Sequence, residues 1–325
     1  MKKKLFFVIS ACLLVLTGCG KIPKLQNGQE VVASIDGLDV TAENVYDELK
    51  EQYGIGIVID KIDSAIADKS LTKEQIKDAE EYADNQISKI KAQYEMYNMS
   101  FEDALTQNGY DSESDLKKDI FESYKKQLVL LDFLQSELTE EEINEYYEKE
   151  IYGEMTVRHI LITPEKTDDM TDDQVKEAEE KAKQKAEELI KKLNEGADFA
   201  ELAKENSDDT GTASEGGLFA NFTKKGVDES FFNASLELEK DKYTTSPVKS
   251  QFGYHIILKI SQNEKPSLDK VIDDVKDTLV NNKLTEDQNL SITAWDRIRT
   301  KNNMKINDSA LQKNYNKVMD LYKEK

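Results

Sequence analysis

Histidine occurs twice in the 325 residues of this chain, and both copies sit inside short apolar runs. His159 lies in Val157-Arg158-His159-Ile160-Leu161-Ile162, and His255 lies in Phe252-Gly253-Tyr254-His255-Ile256-Ile257-Leu258. Runs rich in β-branched residues favour strands. Two such strands lying side by side bring both imidazoles together in the floor of one small sheet. A lone histidine in such a run reads as a satisfied core residue. A matched pair with polar and glycine-rich blocks between its members reads as a site. Those blocks are Asn206 to Thr210, Glu215 to Phe222, Gly226 to Phe232, and Ser246-Pro247-Val248-Lys249. Ser-His-Asp hydrolysis does not fit, because no nucleophile elbow is visible and both histidines lie inside strands. Two histidines and scattered carboxylates also lack metal-ligand spacing, so no metal site is expected.

The elements around this site divide into an almost wholly helical flank on each side. A hairpin is expected over Val31 to Val40, with Asp36-Gly37 as its turn because both positions accept φ > 0. Thr41 caps a helix carrying Val45, Tyr46 and Leu49, which Gly54 and Gly56 are expected to break. Thr72 with Gln75, and Thr139 with Glu142, have capping-box spacing and open further helices. Helices are also expected near Ser100 to Gly109 and Ser112 to Leu138. Composition changes at Tyr152-Gly153. From there the pattern is strand, long charged helix to Asn194, short helix at Asp198 to Ala203, glycine-rich loop, helix and strand. After Pro266 helices return over Leu268 to Asn282 and Thr285 to Arg299. Met304-Lys305-Ile306 is expected as a short strand extending the hairpin, followed by a terminal helix. The apolar stripes of the two flanks are hard to satisfy separately, so the flanks are expected to pack together.

Lys2, Lys3 and Lys4 followed by the apolar run Leu5 to Leu16 read as a signal peptide, too short to span a bilayer comfortably. The run ends in Leu16-Thr17-Gly18-Cys19, which resembles the lipobox of bacterial lipoproteins and implies cleavage before Cys19 with a lipid on its sulfur. Cys12 leaves with the signal peptide, so no thiol remains for a disulfide or metal. The mature protein is then anchored to a membrane through Cys19 rather than spanning it. A net charge of -21 argues against nucleic acid as a partner, since phosphates would be repelled.

From Val157 to Ile260 the chain resembles the parvulin family of peptidyl-prolyl isomerases. The histidine strand, the Ser207-Asp208-Asp209 turn, the Gly216-Gly217 loop, and Pro247-Val248-Lys249 leading into Phe252-Gly253-Tyr254-His255 carry the likeness in order. With a lipobox ahead and helices on both sides, the whole chain resembles PrsA-type foldase lipoproteins. The resemblance implies an α+β fold: a mainly helical chaperone-like domain built from both flanks, with an inserted parvulin domain whose small antiparallel sheet is wrapped by helices. The expected division is signal peptide 1–18, lipidated tether 19–29, helical domain 30–150 and 265–325, and isomerase domain 151–264. It also implies that His159, Asp209 and His255 are catalytic, that Phe219, Val227 and Phe231 form the proline pocket, and that no metal or cofactor is required. The sequence departs from the family's Gly-Gly-Asp-Leu-Gly-Trp-Phe at Gly216 to Phe222, where Leu218 and Asn221 replace the acidic residue and the tryptophan. Val227 stands in place of the usual methionine, and Phe219 is bulkier than the usual leucine.

The function so implied is cis/trans isomerisation of X-Pro bonds on the extracytoplasmic face of a bacterial cell membrane, in secreted proteins that are not yet folded. The alternative is a non-catalytic chaperone in which the parvulin domain is a scaffold and Tyr94, Met96, Tyr97, Met99 and Phe101 help to bind clients. The resemblance admits a homodimer. A solute-binding lipoprotein would need two lobes of alternating strands and helices, and these flanks are almost strand-free.

Overall fold

The computed structural model describes residues 24–323 apart from Gln26 and Asp168, so Cys19 and the expected signal peptide lie outside the described residues. The fold is α+β, mostly helical with a small antiparallel sheet. In chain order, β1 (Val31–Ile35) and β2 (Leu38–Thr41) precede α1 (Ala42–Ser70), α2 (Lys73–Met96), α3 (Phe101–Gln107), α4 (Glu113–Ser136) and α5 (Glu140–Glu150). Then come β3 (Met155–Ile162), α6 (Asp172–Asn194), α7 (Phe199–Asn206), β4 (Leu218–Phe222), α8 (Glu229–Glu237), β5 (Val248–Lys249) and β6 (Tyr254–Gln262). The chain ends with α9 (Leu268–Glu286), α10 (Leu290–Lys301) and α11 (Ser309–Lys323). Two compact units result: one joins the described residues up to Asp132 to those from Asn289 onward, and the other is Phe133–Gln288.

In the first unit Gly37 takes φ +86° at the hairpin turn. Thr41 then caps α1 reciprocally with Asn44, each side chain accepting from the other's backbone N–H. The helix does not break at Gly54 and Gly56 as expected. It runs on to Ser70, because tertiary packing outweighs a glycine cost of about 1 kcal/mol each. Gly54 has a packing reason, since a Cβ there would lie 2.9 Å from Cδ2 of Leu311 on α11. Further along, Arg299 of α10 donates from Nε and Nη2 to the two oxygens of Asp63 at 2.8 and 2.7 Å, with both residues buried. Lys50 reaches Asp308 at 2.5 Å. The segment Met304 to Ile306 is not a strand, and the hairpin sheet stays two-stranded. Asn303 turns the chain at φ +57° and the Met304 N–H closes α10 on the Arg299 carbonyl, leaving only a short link to α11.

The second unit includes α5 and α9, which pack on each other. Lys283 pairs with Glu142 at 2.5 Å, and the Tyr147 hydroxyl donates to the Pro266 carbonyl at 2.8 Å. Its sheet has strand order β4-β3-β6-β5, with every pairing antiparallel. Alternation along β3 and β6 separates two cores. Ile160, Ile162, Tyr254 and Ile256 face α6 and α7, meeting Ala186, Leu189, Ile190, Phe199 and Leu202. On the opposite face Met155, Val157 and Ile257 meet Phe222, Phe231 and Phe232. Among the described residues no helix is long and apolar enough to cross a membrane.

Candidate active site

The register of β3 on β6 pairs His159 with Ile257 and Leu161 with His255, so the two histidines are diagonal neighbours on the same face. The Nδ1 atoms lie 3.4 Å apart, and the residues are only 6% and 5% exposed. The Ser207-Asp208-Asp209 turn is pinned to the same strand. The Ser207 hydroxyl accepts from the Leu161 N–H, the Asp208 N–H donates to the Leu161 carbonyl, and the Asp208 carboxylate accepts from the Thr163 N–H at 2.7 Å. This anchoring sets the Asp209 Oδ2 2.8 Å from the His159 Nε2.

The glycine pair is explained by the same strand. The His159 N–H donates to the Gly217 carbonyl at 2.8 Å, and a Cβ on Gly217 would meet the His159 carbonyl oxygen at 2.1 Å. Gly217 also takes φ +74°, in the left-handed region. From β3, Arg158 donates through Nη1 to the carbonyls of Glu215 and Gly216 at 2.7 and 2.8 Å, holding the loop down.

Three charge states follow from these surroundings. Burial pushes His159 below its ordinary pKa, and the Asp209 carboxylate offsets this only in part. His255 is pushed down to about 4, first by burial and then by the neighbouring His159. Burial acts to raise Asp209, but the Thr212 hydroxyl, His159 and the Gly211 N–H outweigh it, leaving its carboxyl below the usual range. At neutral pH the histidines are therefore neutral and Asp209 is an anion.

Those charges fix one proton order. The anion accepts the Nε2 proton of His159, which leaves the Nδ1 of His159 as an acceptor. The Nδ1 of His255 must then carry a proton and donate across the 3.4 Å gap. Its Nε2 is left to accept from the Ser250 hydroxyl at 2.7 Å. The relay runs from Ser250 through both rings to Asp209.

Beside it stands an aromatic wall. The Phe231 ring meets His159 and His255 edge-on at centroid distances of 5.3 and 5.1 Å. Phe219 and Phe222 stack at 4.8 Å, and Val227 packs on the same cluster. Strict alternation would send Phe219 and Phe222 to opposite faces. They share a face because β4 carries an extra residue: Met155 and Val157, two apart, pair with Phe222 and Phe219, three apart. Asn221 absorbs the bulge at φ +54°, which asparagine tolerates better than most residues.

All six residues singled out in the sequence thus gather on this face of the sheet: His159, His255 and Asp209 in the relay, and Phe219, Val227 and Phe231 in the wall. Sequence reading missed Thr212, Ser250 and the part played by Phe222. Thr212 stands three residues after Asp209, a spacing at which a hydroxyl can reach back to a carboxylate in a turn. Ser250 could be found from the turn ending at Gly253, at φ +144°, which folds it back onto His255. Only the bulge reveals Phe222. Among the described residues no group of three or more histidine, cysteine or acidic side chains is placed to hold a metal.

A profile of the PPIC-type PPIASE domain matches residues 142–263. The chain is 30% identical over 317 residues to foldase protein PrsA 2 of Listeria innocua, covering 96% of this chain and 94% of that one. It is 28% identical to foldase protein PrsA of Geobacillus kaustophilus over 87% and 88% of the two chains. The crystal structure of foldase protein PrsA from Streptococcus pneumoniae is similar in fold. It has a TM-score of 0.56 and 20% identity, covering 88% of this chain and 98% of that one. With relatives matched along nearly their whole length, the chain belongs to the PrsA foldase family and carries a parvulin-type peptidyl-prolyl isomerase domain.

Proposed function

We propose that this protein accelerates cis/trans isomerisation of X-Pro bonds in secreted proteins while anchored through Cys19 to the extracytoplasmic face of the membrane. The observation that carries the reading is the anionic Asp209, held by a buried neutral histidine pair, next to the wall of Phe219, Phe222 and Phe231. Rotation about an X-Pro bond must overcome amide resonance, a barrier of about 18–20 kcal/mol. Resonance places negative charge on the carbonyl oxygen. A carboxylate beside that oxygen disfavours the charge-separated form and weakens the double-bond character of the C–N bond. The proline ring, held on Phe219, Val227 and Phe231, stays fixed while the preceding residue turns. Uncatalysed, the step takes tens of seconds, long enough to hold up folding outside the cell.

The test is exchange spectroscopy of a short X-Pro peptide with the full chain, beside Asp209→Ala and His159→Ala. Acceleration by the wild type that both variants lose while keeping their fold is the expected result. No acceleration by a folded wild type overturns the enzymatic reading. Anchoring is tested separately, since Cys19→Ala should release the protein into the medium.

A chaperone activity alongside isomerisation is favoured by a separate observation. Val45, Leu49, Tyr53 and Ile57 recur every four residues along α1 and are all exposed, as are Val32, Ile35 and Leu38 in the hairpin. Among the residues expected to help bind clients, Met96, Tyr97 and Met99 are exposed while Phe101 is buried and Tyr94 half-buried. Non-native chains are the partners that such apolar surface suits, and the same surface would serve a homodimer.

A further inference from the structure

Thr212 takes no part in any motif, yet its hydroxyl lies 2.5 Å from Oδ2 of Asp209 and 3.1 Å from Nε2 of His159. With the 2.8 Å His159–Asp209 contact, the three side chains close a triangle. We infer that Thr212 is a positioning residue for isomerisation: its hydroxyl locks the Asp209 carboxylate onto His159 and keeps it charged. The inference rests on the prolyl-isomerase reading for its effect on rate, but not for its effect on Asp209.

The geometry leaves the hydroxyl one arrangement. Asp209 is an anion that offers only acceptors, so the Thr212 proton points to Oδ2. The threonine oxygen is then free to accept a share of the His159 Nε2 proton at 3.1 Å. The carboxylate thus receives the Thr212 hydroxyl and His159 on Oδ2, and the Gly211 N–H on Oδ1 at 3.2 Å. Hydrogen bonds of this kind stabilise the charged form of a carboxylate. Thr212 is itself placed by the turn that follows Asp209, where its N–H and that of Ala213 both donate to the Asp209 carbonyl. The hydroxyl and the carboxylate therefore move as one body.

Other charged groups do not supply this role. His159 faces Asp209 from β3 and His255 stands behind it on β6, both held neutral by burial. Asp228, at the head of α8, caps that helix through the N–H groups of Ser230 and Phe231. Asp208 is taken by the Thr163 N–H, and Arg158 is turned to the carbonyls of Glu215 and Gly216.

The experiment compares the full-length wild type with Thr212→Val, which keeps the shape and removes the hydroxyl, and Thr212→Ser, which restores it. Two quantities are read: peptide exchange rate, and the titration midpoint of the Asp209 carboxyl carbon by NMR. Thr212→Val should lower the exchange rate about tenfold, the size that one hydrogen bond to a charged group carries. It should also move the Asp209 midpoint upward, and Thr212→Ser should return both toward wild type. If the valine variant does not fold, Thr212→Ala is read in its place. Unchanged rate and midpoint in a folded variant overturn the proposal. If the wild type itself does not accelerate exchange, the isomerase reading fails, and the midpoint alone decides whether Thr212 governs Asp209.

Discussion

The Nδ1 atoms of His159 and His255 face one another at 3.4 Å, inside a face of the sheet that keeps both rings about 95% covered. One ring must donate and the other accept, which forbids a proton on both nitrogens at once. The contact thus rules out two imidazolium rings, and burial keeps both neutral where a surface histidine would be partly charged.

Stability should fall on mild acidification. The folded pKa of His255, about 4, lies below the unfolded value of 6.5, so the unfolded chain takes up the proton first. Stability is complete above 6.5, declines as pH drops toward 4, and levels off below. The loss from this one group is about 3 kcal/mol, and His159 adds in the same direction. Urea unfolding at pH 7 and pH 4.5 measures it. His255→Phe should flatten the dependence, and a wild-type protein equally stable at both values contradicts the assignment.

Two glycines of like conformation should respond differently to alanine. Gly217 and Gly226 have φ of +74° and +84°, but a Cβ on Gly217 meets the His159 carbonyl while one on Gly226 meets nothing within 4 Å. Gly226→Ala should cost about 1 kcal/mol, the strain of a left-handed residue alone. Gly217→Ala should cost about 3 kcal/mol or more and displace His159, visible as altered imidazole resonances. Equal losses in thermal unfolding would show that contact with the strand is unimportant.

Asn221 should tolerate glycine but not valine. Glycine keeps the left-handed bulge, whereas a β-branched residue at φ +54° is strained. Asn221→Val should pull β4 toward regular alternation, separate Phe219 from Phe222, and raise the KM for X-Pro peptides more than it lowers kcat. A KM unchanged in the valine variant would detach the bulge from the pocket.

Removing one member of the Asp63–Arg299 pair should cost about 3–5 kcal/mol, because the other charge is left buried. Replacing both, as Asp63→Leu with Arg299→Met, should recover most of the loss. Chemical denaturation of the two single variants and the double variant gives the coupling. Additive losses would mean that the pair contributes nothing jointly.

Much of this was legible in the chain. Thr41, Thr72, Thr139 and Thr171 each cap a helix through reciprocal bonds to the residue three further on, so helix starts could be read locally. The histidine strands were legible because β-branched runs next to turn residues have few other outcomes. What failed was decided at a distance. The continuity of α1 through Gly54 depends on Leu311, far along the sequence, and the fate of Met304 to Ile306 depends on how α10 terminates. Phe222 was hidden because one added residue in β4 reverses the face of everything beyond it.

The pairing of Asp63 with Arg299 also sets an order of events. The isomerase sheet and its helices lie between these residues in sequence, and all their strand pairs can form once Gln262 has emerged. The first unit cannot close until α10 and α11 arrive, because α1 finds its partners there. As the chain leaves a ribosome or a translocation channel N-terminus first, the unit that is inserted in sequence is free to fold while the other is still waiting for its last helices. A truncation after Gln288 would therefore strip α1 of its buried cation and spare the sheet.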